Sequence, residues 1–85
     1  MSNIRRMVET RAAPRFRVAK PARIEHGGEK VTCTLRDLSL TGASLEVTDP
    51  ALIPANFTLV VPEDGLKVSC RIVRRTDFRI GVAFE

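Results

Sequence analysis

The chain has 85 residues, a formal net charge of +4 and an apolar fraction of 44%. This length supports one small domain, and the apolar fraction excludes an intrinsically disordered chain. No apolar run approaches the length of a membrane span, and the amino terminus lacks the apolar core of a signal peptide. We therefore expect a cytoplasmic protein that has no membrane partner.

The positive charge is concentrated at the front of the chain. Residues 1–23 contain six arginines and one lysine against one acid, Glu9, which gives +6. Residues 24–85 contain seven basic and nine acidic residues, which gives −2. Such asymmetry indicates an anionic partner for the front of the molecule.

In chain order, residues 1–10 show weak periodicity and are predicted to be a flexible tail, and residues 11–85 are predicted to form one domain. Alternation of apolar and polar residues then predicts six short strands. They fall within residues 16–24, 30–36, 43–48, 57–61, 66–72 and 78–84. Two prolines between Asp49 and Asn56 predict a longer connection with one helical turn.

Six short strands with brief connections favour an all-β fold, a six-stranded antiparallel β-barrel with little or no helix. Closure removes the exposed edges of a flat sheet, and an open sandwich is the alternative. Cys33 and Cys70 occupy apolar positions and are interpreted as small buried hydrophobes. By the same parity, Phe16, Phe78 and Phe84 are predicted to point inward.

The first two strands are predicted to form a hairpin around a two-residue turn at Gly27-Gly28. The predicted pairs are Ile24 with Val31, Ala22 with Cys33, Val18 with Asp37, and Phe16 with Ser39. A bulge near Pro21 would slip the outer pairs by one residue, and Gly81 is interpreted as the mark of a further bulge in the last strand. In either register, the hairpin brings Arg11 and Arg15 close to the loop over residues 37–42.

These two stretches combine groups that suit one kind of ligand. The guanidinium groups of Arg11 and Arg15 can each fork onto a phosphate or onto the O6 and N7 atoms of guanine. The Asp37 carboxylate can accept hydrogen bonds from the donor edge of guanine, and the Ser39 hydroxyl can donate or accept. Gly42 allows a close approach of the backbone. The predicted ligand is anionic and contains guanine.

The same residues resemble the motifs of a known family. Arg11-xxx-Arg15, followed by Asp37-x-Ser39-x-x-Gly42, resembles the RxxxR and [DN]xSxxG motifs of PilZ domains, which are receptors for the bacterial second messenger cyclic di-GMP. The close of the chain, Gly81-Val82-Ala83-Phe84, is similar to the last strand of that family. RxxxR alone is unspecific, since Arg71 to Arg75 also matches it. The two motifs in order, separated by strand, turn and strand, are specific.

The resemblance implies a six-stranded barrel in which both arginines contact phosphates and guanine, while Asp37, Ser39 and Gly42 hold a guanine. It implies a receptor that has no cofactor and that relays the signal to an unidentified effector protein by ordering its amino-terminal segment. Many PilZ domains carry a further arginine just before RxxxR, where this chain has Thr10. The number of ligands in the site therefore stays open.

Three other functions are weighed against this one. A small basic barrel could bind single-stranded nucleic acid, but such barrels use exposed aromatic rings, and the predicted inward phenylalanines argue against a nucleic-acid partner. Catalysis is not expected, because the sequence shows no nucleophile with a histidine nearby, no metal-ligand cluster and no phosphate-binding glycine loop. A PilZ-like scaffold that binds protein but no nucleotide is disfavoured by the intact pair of motifs.

Overall fold

The computed structural model describes residues 16–85. The predicted tail over residues 1–10 and the predicted site residues Arg11 and Arg15 lie outside the described residues. Six strands of the described part close into an antiparallel barrel in the order β1-β2-β3-β6-β5-β4. The prediction of an all-β, six-stranded antiparallel barrel is confirmed.

The strands follow the alternating segments of the sequence closely. They are β1 (Phe16–His26), β2 (Glu29–Leu38), β3 (Gly42–Glu46), β4 (Asn56–Val61), β5 (Leu66–Arg75) and β6 (Arg79–Phe84). Two 3₁₀ turns, Pro50–Leu52 and Pro62–Asp64, occupy connections in which a helical or tight turn was expected. Residues 16–85 contain no α-helix and thus no helix that could cross a membrane.

The core consists of the inward-facing apolar side chains of the barrel strands, together with residues of the connection after β3. Its buried members are Ala22, Ile24, Leu35, Ala43, Leu45, Val47, Ile53, Phe57, Leu59, Val61, Cys70, Ile80 and Val82. Both cysteines are free; Cys70 is fully buried, as predicted, whereas Cys33 is only half-buried. Burial raises the pKa of each thiol to about 11, so both are neutral and weakly nucleophilic near pH 7.

The predicted burial of two phenylalanines is wrong. Phe16 is 61% exposed and Phe78 is 64% exposed. Phe16 is the first residue of β1, and Phe78 lies in the turn before β6. Both are therefore at the end of the barrel, where the described strands do not cover them. Strand parity gives the side on which a residue lies, but burial also requires neighbouring strands to extend that far. Phe84 packs against the core as expected.

The predicted pairing of β1 with β2 is confirmed from the turn at Gly27-Gly28 as far as a bulge in β1. Ile24 pairs with Val31, and Ala22 with Cys33. The register shifts between Arg17 and Lys20, where β1 carries one more residue than β2. Arg17 therefore pairs with Asp37, and Phe16 with Leu38. The predicted pairs of Val18 with Asp37 and of Phe16 with Ser39 are wrong by the one-residue slip that such a bulge produces.

Two further bulges lie at the same end of the barrel. Arg36 in β2 is unpaired between the pairs of β2 with β3, and Val73 in β5 is unpaired between the pairs of β5 with β6. A bulge inserts one residue and reverses the side on which the following residues point. The bulge expected at Gly81 is thus found on the facing strand, because Arg74 is the residue that pairs with Gly81.

One arginine holds the connection between β3 and β4 against β5. The Nη1 atom of Arg75 donates to the carbonyl oxygens of Pro50, at 2.6 Å, and Ile53, at 2.8 Å. A second link is the backbone N–H of Ile72, which donates to the carbonyl of Ala55 at 2.8 Å. The connection is therefore fixed to the barrel by hydrogen bonds as well as by its buried apolar residues.

Replacing Arg75 by alanine removes both side-chain bonds and leaves two carbonyl groups to water. Because hydrogen bonds from charged donors are the stronger class, we expect Arg75→Ala to lower the free energy of unfolding by about 1.5 kcal/mol. Urea denaturation measures the change. Arg71→Ala is the matched control: it breaks an exposed ion pair with Glu85, at 3.3 Å, and should cost less than about 0.5 kcal/mol. Equal losses of stability in the two variants would contradict the role of Arg75 in fixing the connection between β3 and β4.

Candidate functional site

The side chain of Asp37 faces the outside of the barrel because of the Arg36 bulge. Leu35 is fully buried, so uninterrupted alternation would place Asp37 inside as well. The bulge makes Asp37 pair with Ser44 instead, and Leu38 pair with the core residue Ala43. Paired residues share a face, so Asp37 lies on the outer face and Leu38 on the inner face.

The Ser39 hydroxyl shapes the loop between β2 and β3. Its Oγ atom accepts from the backbone N–H groups of Thr41 and Gly42, both at 3.2 Å, and can donate to the carbonyl of Gly42 at 3.2 Å. The backbone N–H of Ser39 also donates to the Gly42 carbonyl at 2.9 Å. A hydroxyl that satisfies backbone groups two and three residues ahead is the usual means by which serine fixes a turn.

Gly42 is required by packing between strands. Its φ is not positive, so no special backbone angle requires a glycine here. A Cβ atom at this position would collide with the carbonyl oxygen of Val82 on β6. The backbone does approach closely at Gly42, but the group that it approaches within the described residues is the neighbouring strand.

These residues line a groove of about 440 Å³ on the outer face of the barrel. Residues 37–42, which comprise the end of β2, the loop after it and the start of β3, form one wall. The facing wall consists of Val73, Arg74 and residues 81–83. Arg74 was not among the predicted site residues. It would face the core by simple alternation, and the bulge at Val73 turns it outward to pair with Gly81. The sequence marks a bulge at Gly81 on the facing strand, but nothing in it marks Val73 itself.

Asp37 is the acceptor around which the basic groups of this face are arranged. It is half-buried and makes no side-chain hydrogen bond or ion pair to another residue in the range 16–85. A smaller cavity of about 160 Å³ on its other side is bordered by Arg17, Arg36 and Arg79. Of these three arginines, Arg36 has a described partner, Glu46, at 3.7 Å. The carboxylate is thus available to a donor in a positive environment.

Among the predicted site residues, the structure brings Asp37, Ser39 and Gly42 together on one groove. Arg11 and Arg15 lie outside the described residues, and their contribution stays a prediction. The described chain begins at Phe16, which pairs with Leu38, the residue between Asp37 and Ser39. The polypeptide therefore enters the barrel beside the groove.

The closed barrel, with Asp37, Ser39 and Gly42 beside a groove on its outer face, has the form of a small ligand-binding domain. The sequence pattern of the PilZ domain family matches residues 9–85. The chain belongs to the PilZ domain family, which comprises receptor domains for cyclic di-GMP.

The fold is similar to that of a solved structure described as "Crystal structure of PilZ domain of CeSA from cellulose synthesizing bacterium". The TM-score is 0.63 at 24% sequence identity, and the alignment covers 85% of this chain and 80% of that chain. This likeness shows the barrel fold. A comparison with curated proteins found no match.

The two glycines that line the groove are expected to tolerate alanine to different degrees. Gly42→Ala places a methyl group against the Val82 carbonyl, so the free energy of unfolding should fall by about 1–3 kcal/mol, as for other overpacked sites. Gly81→Ala meets only Arg74 and Val73 atoms at 3.8–3.9 Å and should leave stability nearly unchanged. Chemical denaturation of both variants measures this difference; a stable Gly42→Ala protein would contradict the packing role.

Proposed function

We propose that this protein is a cytoplasmic receptor for the bacterial second messenger cyclic di-GMP. A guanine of the ligand lies in the groove, where the Asp37 carboxylate accepts from its N1 and N2 donors. Arg11 and Arg15 reach from the amino-terminal segment to the phosphates and to the O6 and N7 acceptors. The observation that carries the proposal is a half-buried Asp37 with no described partner, beside a groove of about 440 Å³.

The roles of Ser39 and Gly42 follow from their contacts. Ser39 holds the loop in shape through the N–H groups of Thr41 and Gly42, and so fixes the wall against which the base lies. Gly42 keeps β3 close to β6 and thereby keeps the groove narrow. Both act by positioning, and the direct recognition of guanine falls to Asp37 and the arginines.

The energies are sufficient for a physiological affinity. Micromolar binding requires about 8 kcal/mol. A charge-assisted hydrogen bond contributes about 1.5–3 kcal/mol. Four or five such bonds, from two forked arginines and one carboxylate, contribute about 6–15 kcal/mol, a range that includes the required value.

The signal is relayed through the amino-terminal segment. Binding of Arg11 and Arg15 to the ligand orders this segment over the groove and presents a new surface to an effector protein. The relay requires no catalysis, so the protein acts as a binding module. Amide hydrogen exchange of residues 1–15 should slow when cyclic di-GMP is added, and unchanged exchange in a saturated complex would contradict the relay.

Single-stranded nucleic acid is a second candidate, which one observation favours. Phe16 and Phe78 are exposed, contrary to the prediction that argued against this function, and exposed rings are stacking platforms for bases. Titration with an oligonucleotide separates the two functions. Nucleic-acid binding should weaken steeply as salt is raised, because counterions are released from the phosphate backbone.

We expect Arg11→Ala and Arg15→Ala each to weaken cyclic di-GMP binding by at least tenfold, because each variant removes a forked contact to the ligand. Lysine at either position should also bind weakly, since an ammonium group cannot make the forked contact. Isothermal titration calorimetry measures the affinities. Arg71→Ala is the charge-matched control, because Arg71 is paired with Glu85 and does not line the groove. An arginine variant that binds as Arg71→Ala does would remove that residue from the site.

Asp37 should set the preference for guanine. In the wild-type protein, the adenine analogue cyclic di-AMP should bind much more weakly, because the adenine edge offers no matching pair of donors to a carboxylate. Asp37→Asn exchanges one acceptor oxygen for a donor and should reduce both the affinity for cyclic di-GMP and the discrimination. Equal binding of the two cyclic dinucleotides by the wild-type protein would refute the assigned role of Asp37.

A further inference from the structure

A second cavity continues the groove along the outer face of the barrel. It has a volume of about 220 Å³ and shares Asp37, Arg74 and Gly81 with the groove. Its remaining polar side chains come from Ser44 on β3, from Thr76 in the turn before β6, and from Arg79, the first residue of β6. The pairing of Asp37 with Ser44, and of Ser44 with Gly81, places these positions side by side on three adjacent strands, at spacings of about 4.8 Å.

Ser44 has a hydroxyl group that no described residue satisfies. It is 6% exposed and is the buried polar side chain of the described range. Its backbone lies between the core residues Ala43 and Leu45, so its own side chain points to the outer face and lines the second cavity. No side chain or backbone group in residues 16–85 makes a hydrogen bond to this hydroxyl. Buried polar groups are ordinarily hydrogen-bonded, so this one indicates a missing partner.

The cations of the cavity also lack described partners. Lys20, Arg23, Arg36 and Arg71 each form an ion pair within 4.0 Å. Arg74 and Arg79 form none with the carboxylates of residues 16–85. Glu46 pairs with Arg79 across the sheet, but its carboxylate is directed to Arg36 at 3.7 Å. Asp37, at the edge that the cavity shares with the groove, is the acid that lines it.

We propose that Ser44, Arg74 and Arg79 form a phosphate-binding subsite on the barrel itself. Two guanidinium groups supply forked donors and the serine supplies a third donor, which together suit a tetrahedral oxyanion better than a flat base. Gly81 leaves the floor of the cavity open, since it has no side chain between Arg74 and Ser44. This subsite deepens the proposed function: it takes a phosphate of the nucleotide whose guanine is bound at Asp37.

The arrangement separates recognition of the base from recognition of the charge. Asp37 lies between the two cavities, and base and phosphate of one nucleotide are joined through a single sugar, so one ligand can occupy both. Binding of the guanine donors to Asp37 also offsets the repulsion between that carboxylate and a phosphate in the next cavity. Free inorganic phosphate offers the same chemistry without a base and should bind more weakly.

The test compares Arg79→Ala and Ser44→Ala with Arg71→Ala in calorimetric titrations with cyclic di-GMP. Arg79 is exposed on β6, and the Ser44 hydroxyl has no described partner, so both variants should fold; thermal unfolding checks this, and Arg79→Gln serves if the alanine variant is unstable. We expect Arg79→Ala to lower the affinity at least tenfold and Ser44→Ala about threefold to tenfold. Arg71→Ala should change it less than twofold.

Backbone amide spectra separate failure of the subsite from failure of the proposed function. Cyclic di-GMP should shift the amides of Ser39 and Gly42 in the loop and those of Ser44 and Gly81 in the subsite. Inorganic phosphate alone should shift only Ser44 and Gly81, and less so in Arg79→Ala. Wild-type affinity in both subsite variants, with the loop shifted by ligand, would overturn the subsite and leave the receptor function. Phosphate shifts without any response to cyclic di-GMP would overturn the receptor function and support a phosphate site alone.

Discussion

The position of one unpaired residue, Arg36, determines what the outer face of this barrel can do. In an uninterrupted strand, Asp37 would follow Leu35 into the core, where a lone carboxylate is strongly destabilising. The bulge turns Asp37 outward and returns Leu38 to the core. The residues of β2 that follow the bulge therefore point to the opposite side from the one that simple alternation predicts. The bulge at Val73 does the same for Arg74 on β5. The groove is polar because these two bulges, at the same level of the barrel, turn Asp37 and Arg74 to the outer face.

The groups around the groove divide into a rigid set and an adjustable set. Ser39 and Gly42 fix the loop and the strand spacing through short-range backbone contacts that are complete within the described residues. Asp37 and the arginines of the face instead have few partners within residues 16–85. A groove with fixed walls and charged side chains that are free to bind suits a ligand that is both planar and anionic. Little reorganisation of the protein is needed when such a ligand binds.

Much of the fold could be predicted from the sequence, because alternation, turn residues and the hairpin at Gly27-Gly28 are local signals. The motif residues Asp37, Ser39 and Gly42 could likewise be placed on one loop. Two bulges could be predicted only approximately, near Pro21 and at Gly81, and the one at Arg36 not at all, since a bulge depends on how neighbouring strands meet and not on the residue that it displaces. Each error in pairing or in the side on which a residue points, including the omission of Arg74, comes from such a displacement.

The exposure of Phe16 and Phe78 shows a second limit of strand parity. Both residues have the parity of the core, yet each lies where the barrel ends. An apolar residue at such a position is free to contact whatever approaches the rim. For this reason, the predicted inward direction of the phenylalanines was a weak argument about the partners of the protein.

The glycine of the binding motif has a consequence for how such motifs are interpreted. Gly42 faces the carbonyl of Val82, so architecture alone is enough to demand it. A barrel of this design that had lost every group able to grip a nucleotide would still need a residue without a side chain there. In the proposed site, Asp37 on the adjacent strand β2 distinguishes the ligand, whereas Gly42 indicates only that β3 packs closely against β6.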